Sequence, residues 1–218
     1  MKKLIVSILS ICLMLSASAV LATPVALYDT VTFLDSGPTG GGEFLIYNNN
    51  QDVFFKTFCL ERNEYVSIGG TYQVAGISDA AVMGGIGGAV NGADPLSGKT
   101  AWLFYNFTMG TLPGYDGSDG MQAVLQEAIW MLEGEKTPSL NNYYYKMAMM
   151  GYVSEGVSVE VWADNYIGPV RVLNLAAMSQ MSQKGAAQDQ LIVTPEPLSL
   201  LLLGLGLMGL AGVRRQIK

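Results

Sequence analysis

The sequence predicts an α+β body: an antiparallel β core of sandwich or barrel-like form, with a helical insertion between its early and late strands. Three observations predict it. Residues 26–77 gather β-branched and aromatic side chains into short runs separated by turn residues. Residues 97–150 change to a helical spacing of apolar positions. Residues 170–175 and 190–194 then return to β-branched runs. Strands, helices and strands in that order favour segregated α and β regions over an alternating βα chain.

Taken in order, the early strands are expected at 27–34, 43–47, 53–60 and 71–75. Asn48, Asn49, Asn50, Gln51 and Asp52 supply a hairpin turn, because Asn and Asp tolerate left-handed backbone. Residues 36–42 form a flexible loop. The stretch 79–91 is apolar but dense in glycine; no Lys-Ser or Lys-Thr follows in register for a phosphate loop, so close backbone packing is the reading. A first helix over 97–107 places Ala101, Trp102, Tyr105 and Thr108 on one face. A second, capped by Asp119, runs over 120–133 with Val124, Leu125, Ile129, Trp130 and Leu132 on a broad apolar side. A third spans 141–150, its Tyr143, Tyr144 and Tyr145 divided between core and rim. Residues 178–189 read as a polar connector.

Composition removes whole classes of function. The chain contains no histidine, which excludes Ser-His-Asp and Cys-His catalysis and the commonest zinc ligand. Five of the twelve basic residues and one of the eighteen acids lie in the terminal segments, leaving seven against seventeen in the body. A body that acidic does not favour nucleic acid. Asp116 and Asp119 in the run 116–120 resemble a calcium loop only in part, because Gly120 occupies a ligand position; a turn into the second helix is the better reading. Glu61 and Glu64, or Glu127, Glu133 and Glu135, supply carboxylates for a glycosidase pair only on paper. No cofactor or metal is expected, and no enzyme.

The two ends read as addresses. Met1, Lys2 and Lys3 precede an apolar run over 4–15, and small residues follow at 17–19 and 20–22. That is a signal peptide, 1–22, with cleavage by signal peptidase placed after Ala22. At the other end Pro195, Glu196 and Pro197 precede an apolar segment over 198–213 and a basic stop at Arg214 and Arg215. Its sixteen residues reach roughly 24 Å, short of the ~30 Å hydrocarbon core, so it spans a membrane marginally before processing. The basic end stays cytoplasmic and the body, 23–193, lies outside. The segment 194–218 closely resembles the PEP-CTERM sorting signal of Gram-negative bacteria. The resemblance implies processing by an exosortase and delivery to the cell surface or extracellular matrix.

With Cys12 in the signal peptide, Cys59 is the one cysteine of the mature chain and no intramolecular disulfide can form. The segments Phe58-Cys59-Leu60-Glu61 and Gln126-Glu127-Ala128-Ile129-Trp130 resemble the paired motifs of bacterial surface thioester domains. In that family a Cys and a Gln are joined through an intramolecular thioester. The resemblance implies a Cys59–Gln126 bond, sheltered from water by Phe58, Trp102 and Trp130, that an amine on a surface protein or matrix polymer could open to an isopeptide. Leu125 stands where the family often has Thr, so a hydroxyl that would orient the amide is missing. The residues alone also allow Cys59 to be a small buried hydrophobe and Gln126 to lie on the polar edge of its helix. On that reading the protein is a non-covalent structural or carbohydrate-binding component of the biofilm matrix. A polysaccharide-modifying enzyme is a third, minor possibility.

Overall fold

The computed structural model describes residues 23–35, 37, 42–82, 91–151, 158–178 and 187–194. The signal peptide, the glycine run at 84–88 and the apolar segment at 198–213 lie outside the described residues. Residues Pro24–Thr194 make one compact unit. Its elements are β1 (Thr30–Asp35), β2 (Phe44–Asn48), β3 (Val53–Thr57), β4 (Thr71–Ser78), β5 (Ala80–Val82) and β6 (Ala93–Pro95). They continue as α1 (Gly98–Thr108), α2 (Asp119–Leu132), α3 (Tyr143–Met150), β7 (Val170–Ala177) and β8 (Ala187–Val193).

Six strands form one antiparallel sheet in the order β3-β2-β1-β4-β7-β8, and β5 and β6 form a separate two-stranded one. The early strands alternate between buried and more exposed side chains, as strands with one wet face must. The β2–β3 hairpin turns where the Asn-rich run predicts, with Asp52 at φ +55°. By contrast β7 and β8 are buried on both faces. One side of them meets Val31, Phe33, Ile46 and Val74 inside the curve of the sheet. Val170, Val172 and Leu191 meet the helices on the other.

The α+β class therefore holds, and the barrel detail is corrected. Beyond β3 the chain runs on through Phe58 and Leu60 to reach the far edge strand, β8, at a single bridge, Cys59 to Gln190. Leu191 N–H donates to Phe58 O and Leu60 N–H to Asp189 O, both at 3.1 Å. One bridged pair is not a ladder, so the sheet curls until its edges touch but is not a closed barrel. Other corrections are local. Ser118, not Asp119, caps α2, because its hydroxyl accepts from Met121 N–H while Asp116 Oδ1 takes the Ser118 N–H in the preceding turn. Thr108 is exposed, and Leu103 and Phe104 join Ala101 and Trp102 in the core, because α1 is covered on more than one side. The polar stretch 187–189 is strand rather than connector.

Helix α1 enters the fold at a very tight point. Ser97 caps it, and a Cβ on Gly98 would sit 1.9 Å from Ala163 O. No side chain fits without moving that backbone. Gly98→Ala is expected to cost at least about 2 kcal/mol of stability, read from the midpoint of denaturant unfolding at unchanged slope.

Candidate functional site

Three elements meet around Cys59: the strand continuation 58–60, helix α2 and the chain entering β2. Side chains along 58–60 alternate, so Phe58 and Leu60 pack with the helices while Cys59 faces the interior of the sheet. Helix α2 buries Leu125, Gln126, Ala128 and Ile129 together. Gln126 is thus 0% exposed, within the buried side of its helix rather than on its polar edge, and Cys59 is also 0% exposed.

The Gln126 carboxamide lies along the backbone of Cys59 as a one-residue strand would. Cys59 N–H donates to Gln126 Oε1 at 2.9 Å, and Gln126 Nε2 donates back to Cys59 O at 2.9 Å. Gly42 N–H adds a second donor to Oε1 at 3.2 Å. Backbone groups thus orient the Gln126 amide. Gly42 holds φ +132°, a conformation that favours glycine. The next residue, Glu43, is tied by Tyr115 Oη and by Lys56 Nζ.

The environment is apolar around the sulfur and acidic beside it. Burial pushes the Cys59 thiol well above its ordinary range, the Gln190 side chain opposes that shift, and the charge of Glu61 adds to it. Glu61 is itself buried; its Oε2 accepts Asp189 N–H at 2.9 Å and its backbone O accepts from Gln188 Nε2 at 2.6 Å. Asp189 accepts from Val82 N–H, Leu175 N–H and Asn174 Nδ2. Of the expected shelter, Trp130 packs with the cluster that contains Cys59, whereas Phe58 and Trp102 belong to the helix-side cluster behind the strand. Of the other carboxylates weighed as a glycosidase pair, Glu133 accepts from Ser97 Oγ, Glu135 from Arg62 N–H, and Glu127 pairs with Lys136, while Glu64 Oε2 is buried without a partner among the described residues.

Gly42, Gln190 and Asp189 were not singled out from the sequence. Gly42 is one of three consecutive glycines in an expected loop, and nothing local distinguishes it. Gln190 and Asp189 lie in a polar run whose burial depends on partners elsewhere in the chain.

Comparison with known proteins bears on one end of the chain. The model of the PEP-CTERM protein-sorting motif matches residues 193–216. The chain therefore carries a sorting signal that indicates an exosortase as its processing partner, with export to the surface or extracellular space of a Gram-negative bacterium. Searches of curated proteins and of solved structures found no match to the chain.

The buried carboxyls give the fold a pH dependence of known sign. Burial raises the neighbouring Glu61 and Asp189 carboxyls well above the ordinary carboxylate range, and Glu133 from 4.5 to about 7. Between the unfolded and folded values the folded protein binds more protons, so stability falls as pH rises through that window. Thermal melts are expected to show a higher midpoint at pH 5 than at pH 8, and Glu61→Gln is expected to reduce the difference.

Proposed function

We propose that Cys59 and Gln126 form an intramolecular thioester, and that the exported protein uses it once to couple covalently to an amine-bearing partner at the cell surface or in the matrix. The observation that carries this reading is the pair of backbone N–H groups, from Cys59 and Gly42, converging on Gln126 Oε1. An amide is a poor electrophile. Two fixed donors at its oxygen are what an acyl-transfer site needs to hold the negative charge of a tetrahedral intermediate.

The step balances without a cofactor. Cys59 Sγ attacks Gln126 Cδ, charge collects on Oε1 between the two N–H groups, and the C–N bond breaks. Nε2 leaves as ammonia with the proton that the thiol gave up, and a Cδ–Sγ bond remains. Because burial holds the thiol above its ordinary range, thiolate is scarce at neutral pH, so proximity and the oxyanion donors carry most of the rate enhancement. Full burial of both groups then keeps water from the thioester. A lysine amine of the partner would attack the same carbon, forming an isopeptide with residue 126 and returning the proton to Cys59 Sγ.

The non-covalent alternative draws on the same geometry, since a Gln126 carboxamide paired to the Cys59 backbone also satisfies a buried strand end with no further chemistry. Intact mass separates the two. The purified protein is expected to weigh one ammonia less than its calculated mass, with the deficit absent in Cys59→Ala and Gln126→Ala. Methylamine should convert it to an adduct with a free thiol detectable after unfolding. Gly42→Ala, which strains the second oxyanion donor, is expected to slow bond formation about 100-fold. Full mass in well-folded wild type would leave the matrix-protein reading.

A further inference from the structure

We propose that Gln190 is the positioning residue for the Cys59 sulfur, holding it for attack on Gln126; this inference rests on the thioester reading. Two buried glutamines flank the cysteine, and the structure distinguishes their tasks. Gln126 Oε1 receives two backbone N–H groups, whereas Gln190 Oε1 is buried with no hydrogen-bond partner among the described residues. Gln126 is therefore the activated electrophile, and the carboxamide with the unengaged oxygen belongs to the residue facing the thiol.

The register explains why Gln190 faces it. Cys59 and Gln190 are opposed across the bridge that joins the sheet edges, and the bonds run through their neighbours, Leu60 to Asp189 and Leu191 to Phe58. Residues opposed in such a non-hydrogen-bonded pair project to the same face with Cβ atoms about 4.5–5.5 Å apart. Both residues are 0% exposed, so bulk solvent does not reach the carboxamide. Its Nε2 makes one long bond within the described residues, 3.3 Å to Gln188 O. The unused groups of Gln190 are an acceptor and a donor. A thiol S–H can give to the acceptor, and the sulfur can receive from the donor as its proton departs. Burial raises the thiol and the Gln190 amide draws it back, the effect expected of a donor near the sulfur. During the reaction Gln190 neither gains nor loses an atom; it fixes the direction of the sulfur lone pair while the proton passes to the leaving ammonia.

The test uses the full chain and the reversibility of the bond. Treatment with ammonia returns Gln126 and free Cys59, and after desalting the re-formation of the thioester is timed by intact mass at several pH values. In wild type the rate is expected to rise with pH, following the thiolate fraction. Gln190→Met, close in size and apolar, is expected to fold with a similar melting midpoint and re-form the bond roughly 10- to 100-fold more slowly. Gln190→Glu is expected to flatten the pH profile, since the introduced carboxyl repels thiolate once it ionises, a change that a purely structural role would not produce. Wild-type rates and pH slope in both variants would overturn the role of Gln190 while leaving the thioester intact. A deficit that persists in Gln126→Ala and vanishes in Gln190→Met would overturn it by making Gln190 the acyl donor. Absence of any ammonia deficit in wild type would overturn the thioester reading, and this inference with it.

Discussion

Much of this fold depends on how the backbone of residues 58–60 is satisfied after β3 ends. A buried strand end with open N–H and C=O groups is costly, and here both sides are occupied. Phe58 and Leu60 bond outward to β8, while Cys59 bonds to a side chain, the carboxamide of Gln126. Glutamine suits that place because it presents a donor and an acceptor in one plane without a charge. The arrangement joins the two edges of the sheet and docks α2 against them, and the same two bonds set the Gln126 carbonyl beside the sulfur-bearing residue.

A second layer of polar groups holds this junction from below. Glu61 receives Asp189 N–H, and Asp189 in turn gathers N–H groups from β5 and β7 and from Asn174. Such a network is stable when its members are paired, and Asp189 accepts from three donors. Glu61 retains one oxygen without a partner among the described residues, and burial shifts its carboxyl toward the neutral form. That shift lessens the negative charge beside a sulfur that must develop charge of the same sign in the proposed reaction.

The export signal and the chemistry of the body are consistent with one another. Outside the cytoplasm a reactive thiol meets oxidants, and a single cysteine has no partner within its own chain. Burial protects Cys59 as a thiol, and the proposed acyl bond would mask it altogether. A protein sorted to the surface and coupled once to an amine would need neither a cofactor nor turnover. That agrees with a body that has no histidine to serve as a general base.

The division between early strands, central helices and late strands was legible because each element carries its own period, and the sorting signal was legible because it is contiguous. Cys59 and Gln126 were recognisable as a pair only through short motifs, since nothing in a separation along the chain implies contact. Residues 187–189 were misjudged for a physical reason: Gln188 and Asp189 look solvated, yet each is buried against groups supplied by distant segments. The sequence by itself determined the export route, the α+β class and the exclusion of histidine chemistry, because these depend on composition and local order. Only the tertiary structure decided that Gln126 is buried, that Gly42 and Cys59 both point N–H groups at its oxygen, and that Gln190 faces the cysteine. Those facts follow from the curl of the sheet, which brings its first and last edges together at one residue pair.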